Sequence, residues 1–399
     1  MHIVIGVTSP QTCLVLSARL RALRAAGFHV SVVSAPGELL ERTAQAADAE
    51  PIAVSMKRGI APISDVLAFF RLWRLLLRIK PDIVEFSTPK VGLLGNLAAK
   101  LCGVPVRIYL LRGLKLEGSE GMKRRLLFFA ERLTANCAQV VVCNSRSLRR
   151  KALALGIGDG EKLVVLGDGS SNGVDLERFS PGPSRVREKL GVPRKARVVG
   201  FVGRLTCDKG IPELVEAFAM ILKSDPLTYL LLVGWFDASE DALDSGIRKR
   251  IESHPRIICT GFVSDTAPYY RAMDVLVLPS WREGFPNAAL EAAASGIPVI
   301  LTYCTGSIDA VVPEVTGLIV PPGHPEAISE AVLTLFRSSK RRRQIGTAAR
   351  AWVAEHYEDR RVLGQTIEFY KSLIERALGD KGAGDDGAGE MATDSSALR

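Results

Sequence analysis

Histidine, paired cysteine and closely spaced aspartate are all scarce in this 399-residue sequence, and each scarcity removes a class of chemistry. The five histidines stand apart at 2, 29, 254, 324 and 356, without the spacing of a metal-ligand set. No two aspartates are separated by a single residue, so the Asp-x-Asp device that holds a divalent ion beside a phosphate is missing. The expectation is therefore no metal and no cofactor. Seven cysteines, at 13, 102, 137, 143, 207, 259 and 304, contain no Cys-x-x-Cys pair. That excludes a zinc cage and a disulfide framework, and fits a reducing cytoplasm. No apolar run reaches the ~18 residues of a membrane span. Met1-His-Ile-Val-Ile-Gly-Val7 reads directly as a strand, with neither a basic leader nor a cleavage site, so no signal peptide is expected. Aromatics make up only 6%. Without an interleaved aromatic platform or a recognisable binding module, nucleic acid is not an expected partner.

What the sequence does contain is apolar bulk in a regular rhythm. A hydrophobic content of 47% over this length suits two domains, each with its own core. Strand and helix signals alternate, which predicts an α/β fold of parallel sheets covered by helices. Strands are expected at 2–7, 29–33, 82–86, 106–111, 139–143 and 163–166, and again at 197–202, 229–233, 256–259, 275–278, 299–301 and 318–320. Between the two sets lies Ser180-Pro-Gly-Pro-Ser184, a linker composition. The expected organisation is one domain over 1–175, a second over 176–358, a helix over 359–378, and a tail over 379–399. The tail is rich in Gly, Ala, Asp and Ser, and disorder is expected there.

The net charge of +9 is placed unevenly. Residues 1–176 hold 24 Lys and Arg against 14 Asp and Glu, whereas the remainder holds 28 against 29. Two stretches, 66–80 and 123–132, combine leucine and phenylalanine with arginine at helical spacing. Two readings compete. One is an interfacial helix on an anionic membrane surface, and the other is an ordinary helix with a core side and a solvated side.

The sharpest chemical signal is Glu283-Gly-Phe-Pro-Asn-Ala-Ala-Leu-Glu291, two carboxylates eight residues apart. Leu276-Val-Leu-Pro279 reads as the end of a buried parallel strand, and Asn287 to Ser295 as a short helix closed by Gly296. The loop between them is a strand-to-helix crossing. Gly284 lets the backbone approach a ligand closely, and Pro286 suits the first helical turn, so free N–H groups there can face an anion. A phosphate seated between Glu283 and Glu291 leaves one carboxylate for the group on each side, as a nucleotide-sugar requires. A second segment, Gly203-Arg-Leu-Thr-Cys-Asp-Lys-Gly210, follows a strand and precedes an amphipathic helix near 211–222, and presents two cations, Arg204 and Lys209.

The first segment, set between Pro279-Ser280 and Gly296-Ile-Pro-Val299, resembles the donor signature of the family-4 retaining glycosyltransferases. The Gly203–Gly210 segment resembles that family's diphosphate clamp, and Asn172-Gly-Val-Asp175 is a third match in order. The likeness covers roughly residues 1–375. It implies two facing Rossmann-like domains, the GT-B architecture, with an interdomain cleft at the C-terminal ends of the strands and a last helix that crosses back to the first domain. It implies a nucleotide-sugar donor and a glycan or lipid-linked acceptor, and the basic first half of the chain suggests a polyprenyl-diphosphate-linked saccharide at the inner face of the cell membrane. By resemblance, Glu291 takes the ribose hydroxyls and Glu283 the transferred sugar. Gly284, Phe285, Pro286 and Asn287 line the donor, and Gly261-Phe262-Val263 forms the base-binding loop. Many members carry His-Gly where this chain has Arg112-Gly113. Arginine stays protonated and cannot act as a general base, so Arg112 is expected on a phosphate, a sugar oxygen or an anionic acceptor, or else is structural. Thr8 and Ser9, in the first strand-to-helix loop, are expected on the acceptor side. Nucleotide-sugar epimerases, sugar phosphorylases and a catalytically silent membrane scaffold share enough of these features to stay open on sequence grounds.

Overall fold

The computed structural model describes residues 1–385 other than 58 and 60, with side chains through residue 377. Of the tail expected at 379–399, the last helix runs on to Asp385, and 386–399 lie outside the described residues. Seven strands form one sheet: β1 (His2–Gly6), β2 (His29–Ser34), β3 (Glu50–Ala53), β4 (Ile83–Ser87), β5 (Val106–Leu111), β6 (Val140–Cys143) and β7 (Leu163–Val164). Their order is β3-β2-β1-β4-β5-β6-β7. Six more form the other: β8 (Val198–Val202), β9 (Tyr229–Val233), β10 (Ile257–Cys259), β11 (Val275–Leu278), β12 (Val299–Thr302) and β13 (Gly317–Val320), in the order β10-β9-β8-β11-β12-β13. Pairing is parallel for β2–β3, β1–β2, β1–β4 and β6–β7 in the first sheet and for every neighbouring pair of the second. Both faces of such a sheet are covered by helices, so its central strands are continuous apolar runs. Val275-Leu-Val-Leu278 is buried at every position.

The sequence predicts the twelve other strands but not β3. Glu50-Pro-Ile-Ala53 is an edge strand, exposed at three of its four residues, and holds a proline. It therefore lacks both the apolar run and the alternation by which a strand is recognised.

By packing, the described chain forms two compact units. One comprises Met1–Tyr109, Leu133–Val140 and the chain from Gly364 on; the other comprises Leu110–Arg132 and Val141–Leu363. In the second, Val174 of the Asn-Gly-Val-Asp segment exchanges backbone hydrogen bonds with Tyr357 and Asp359, at 2.8 and 3.0 Å. That motif is thus a structural tie to the start of the last helix, Asp359–Asp385.

In the first unit this helix is fastened by a buried polar cluster. Arg19, on the helix Ser17–Ala25, donates from Nη2 to Glu85 of β4 and to the Tyr370 hydroxyl, and Tyr370 donates to Glu85. All three residues are almost wholly buried. Among the described residues, Arg19 Nε and Nη1 and Glu85 Oε1 find no partner, so this cluster has no spare hydrogen bonds with which to absorb the loss of a member. Removing one charge of a buried pair strands the other. Arg19→Met should therefore cost about 3–5 kcal/mol in urea unfolding, and the paired change Arg19→Met with Glu85→Leu should recover most of it. A single variant within about 1 kcal/mol of wild type would show that the cluster contributes little.

Candidate functional site

In an open parallel sheet, ligands gather where the strand order reverses, because loops from neighbouring strand ends diverge there. In the six-stranded sheet the reversal lies between β8 and β11, which are paired at Val199–Val275. The loops leaving these two strands are the two segments singled out in the sequence, and they meet. Lys209 Nζ donates to Glu283 Oε1 at 2.5 Å, and Ser280 Oγ donates to the same oxygen at 2.8 Å. Among the described residues, Glu283 Oε2 accepts no hydrogen bond. The pair is mostly shielded, at 20% exposure for the lysine side chain and 14% for the glutamate. Gly210 makes the approach possible. Its φ of +72° caps the helix Ile211–Ser224, and a Cβ there would lie 2.1 Å from the Pro279 carbonyl at the end of the β11 run. Arg204 is half-exposed and donates to Asp237 at 3.2 Å, in the loop beyond β9.

Gly284 has a different constraint. A Cβ on it would stand 1.7 Å from the Arg112 carbonyl oxygen, so Arg112-Gly113 and the Glu283-Gly284 turn are in backbone contact within this unit. Arg112 is half-buried there. Phe285 turns inward, 7% exposed, with its ring 5.2 Å from that of Tyr357, and so packs in the core. Pro286 sits at the cap position, one residue before the helix Asn287–Ala294 and not in its first turn. The half-buried Asn287 opens that helix.

Glu291, just over one turn in, accepts from the Tyr270 hydroxyl at 2.7 Å. Burial pushes its carboxyl up to about 6, against the lowering effect of the Tyr270 hydrogen bond and of Arg178. In the loop after β10, Gly261 has a φ of +70° and Phe262 is 54% exposed, its ring edge-on to Trp235 at 5.7 Å. Val263 beside it is half-buried. Ser280 stands in the Pro279-Ser280 pair of the donor segment, whereas Asp237 and Tyr270 carry no signal of function in the sequence. Only their places after strand ends, or one helix away from a strand end, mark them.

A groove of about 720 Å³ lies in the same unit. Arg124, Arg150 and Lys151 give it positive charge, and Trp281 and Tyr303, 49% and 67% exposed, give it two open rings. Its Thr305 accepts from the Glu283 backbone N–H at 3.2 Å, which joins the groove to the Lys209–Glu283 site.

Thr8 and Ser9 belong to the first unit. Its sheet reverses between β1 and β4, and Thr8 follows β1 as Thr88 follows β4. The two hydroxyls lie 2.7 Å apart. Thr88 has a φ of +75°, an unfavourable value for a β-branched residue, held where two strand ends meet. Ser9 donates to Gln11. No sequence signal singled out Thr88.

Two family models match the chain. One described as glycosyl transferases group 1 covers residues 196–338, and one described as a glycosyl transferase 4-like domain covers 16–169. The chain is 33% identical over 375 residues to the capsular polysaccharide biosynthesis glycosyltransferase CapM of Staphylococcus aureus, spanning 94% of this chain and 97% of that protein. It is 30% identical over 269 residues to the UDP-Gal:alpha-D-GlcNAc-diphosphoundecaprenol alpha-1,3-galactosyltransferase of Escherichia coli, spanning 66% and 68%. The fold is similar to that of Anabaena HepE in complex with UDP-glucose, with a TM-score of 0.78 and 20% identity over 93% of this chain and 100% of that one.

The packing at Gly284 yields a prediction. Gly284→Ala must push the Arg112-Gly113 backbone away, and overpacking of this kind should cost about 1–3 kcal/mol in urea unfolding. Gly364→Ala, where an added Cβ meets nothing within 4 Å, should be close to neutral or slightly stabilising. Equal stability for the Gly284 variant and wild type would mean that the contact yields freely.

Proposed function

The chain belongs to the group 1 glycosyltransferases and is an enzyme of that class, and from that premise we propose that it moves a hexose or related sugar from a UDP-sugar to a polyprenyl-diphosphate-linked glycan, with retention at the anomeric carbon. The observation that carries this reading is the Lys209–Glu283 pair at the strand-order reversal. A nucleoside diphosphate gains negative charge as the glycosidic bond breaks, so fixed cations beside it stabilise the transition state more than the bound substrate. Lys209 has three donors and spends one on Glu283. Its others face the diphosphate together with Arg204 and the first N–H groups of the helix Asn287–Ala294. Glu283 Oε2 receives a hydroxyl of the sugar, and Glu291 receives the ribose. Arg112, permanently charged, holds an anionic oxygen and takes no proton. A front-face attack in which the departing phosphate accepts the acceptor's proton needs no protein base, and these cations do the work that a metal ion does elsewhere.

The acceptor lies in the groove of Arg124, Arg150 and Lys151, with its saccharide against Trp281 and Tyr303. The name of the Escherichia coli relative, with its diphosphoundecaprenol substrate, supports this choice. So does the surface. No described helix is long and apolar enough to cross a membrane, but two helices leave apolar side chains open beside arginines. On Pro62–Ile79, Ala68, Leu72 and Leu76 face the core, while Ile63, Val66, Leu67 and Phe70 are exposed, as are Arg71, Arg74 and Arg78. On Gly121–Cys137, Met122, Leu126, Phe129 and Leu133 form an exposed stripe at helical spacing, flanked by Lys123, Arg124 and Arg125. Such faces suit docking at the inner leaflet.

The clamp, the two glutamates and the docking face can each be tested separately. Lys209→Ala or Arg204→Ala should lower turnover by roughly 100-fold, while wild-type turnover persists in EDTA. Full activity of both variants would remove the clamp. Glu291→Gln should weaken UDP binding. Glu283→Gln should leave that affinity equal or raised, because Lys209 is released, and should depress turnover alone. Since Glu291 titrates at about 6, its carboxylate is lost as the pH falls through that value. UDP-glucose affinity should drop about tenfold from pH 7 to pH 5 in wild type and stay flat in Glu291→Gln. Equal loss of UDP binding in both glutamate variants would reverse or void their roles. Sedimentation with liposomes should increase with anionic lipid and weaken with salt, since each basic residue near such a surface contributes about 1 kcal/mol. Replacing Arg71, Arg74 and Arg78 with Glu should reduce sedimentation and spare transfer to a short soluble acceptor. Unchanged lipid binding in that variant would place the docking face elsewhere.

A further inference from the structure

At the other end of the seven-stranded sheet, the first residues of three neighbouring strands come together. His2 opens β1, His29 opens β2 and Glu50 opens β3. His2 is in register with His29, and Ser31 with Glu50. Side chains alternate along a strand, so all four lie on one face of the sheet. The two imidazole rings are 4.2 Å apart, edge to face. Ser31 Oγ is 2.8 Å from His2 Nε2 and donates to Glu50 Oε2 at 2.8 Å, and the His2 backbone N–H donates to Asp82 Oδ2 at 2.7 Å. One ligand atom from each of His2, His29 and Glu50 lies within 4.8 Å of the others. Two of the five histidines that look isolated in sequence are thus paired by strand register.

We propose that His2, His29 and Glu50 form a binding site for a divalent first-row metal ion, with zinc the best fit. Two imidazole nitrogens and one carboxylate are ligands of borderline softness, and three protein ligands leave a fourth, tetrahedral position for water. The charge balance suits a dication, since Glu50 is itself a ligand and the Asp82 carboxylate lies on the His2 backbone N–H. The side chains are partly fixed already. Ser31, wholly buried, bridges His2 to Glu50, and a ring nitrogen held by such a partner leaves the other ring nitrogen directed and available. His29 and Glu50 are exposed, so the ion has an open entry and the two ligands can close on it with little rearrangement. The site lies at the start of β1 and Thr8 beyond its end, so the metal would tie strands β1, β2 and β3 together and take no part in transfer.

The test uses the full chain with any affinity tag removed, stripped with EDTA and dialysed. Zinc chloride is titrated calorimetrically, and cobalt(II) is titrated by its visible absorption, which is intense only in tetrahedral sites. Wild type should bind one ion, show the tetrahedral cobalt spectrum and gain thermal stability with added zinc. His29→Ala and Glu50→Gln should each bind at least about tenfold more weakly and lose the spectrum. Their apo forms should melt as the apo wild type does, because both positions are exposed. If His29→Ala does not fold, the near-isosteric Glu50→Gln decides the same question. Zinc affinity unchanged in the folded variants, or no tetrahedral cobalt signal in wild type, would overturn the proposal.

Discussion

Lys209 and Glu283 are 74 residues apart in sequence and share a hydrogen bond because one sheet changes direction between β8 and β11. Everything at the candidate site depends on that reversal. It brings together two loops, one carrying Arg204 and Lys209 and the other carrying Glu283 and leading into the helix Asn287–Ala294. The seven-stranded sheet repeats the device between β1 and β4, where Thr8 and Thr88 meet. One topological rule thus places the polar residues of both sheets.

The pair must also be stable within the fold by itself. A mostly shielded lysine with no counter-charge would be costly, and Glu283 supplies that charge through Oε1, steadied by Ser280. Because an ammonium has three donors, the bond neutralises the cation without occupying it. Gly210 and Gly284 let backbone come this close, the first against Pro279 and the second against Arg112. A methyl group at either would move the loops apart. The charges are therefore held in place by the fold itself, and under the proposed role such preorganisation is what makes electrostatic stabilisation effective.

Much of this was legible in the sequence, for identifiable reasons. Buried parallel strands such as β8 and β11 are continuous apolar runs, and the Gly and Pro residues around them mark the turns, so the loops of Arg204, Lys209, Glu283 and Glu291 could be placed. Edge strand β3 could not, because exposure and Pro51 erase its pattern. Partners set by tertiary neighbours were equally silent: Asp237 on Arg204, Tyr270 on Glu291, and Thr88 on Thr8. Phe285 belongs to a segment that reads as a donor loop, yet its ring lies in the core. The basic half of the chain was visible as charge. Only the structure divides it between a groove, with Arg124, Arg150 and Lys151, and helix faces where arginines stand beside exposed Ile63 and Phe70.

If the Lys209–Glu283 pair is the seat of a nucleotide-sugar's diphosphate and sugar, a crystal structure of the chain soaked with UDP-glucose is the most direct measurement. Lys209 Nζ should then stand roughly 2.7–3.2 Å from a phosphate oxygen, with a hexose hydroxyl at similar range from Glu283 and the ribose on Glu291. A bound nucleotide whose phosphates lie away from Lys209 and Arg204, with the sugar remote from Glu283, would contradict that role.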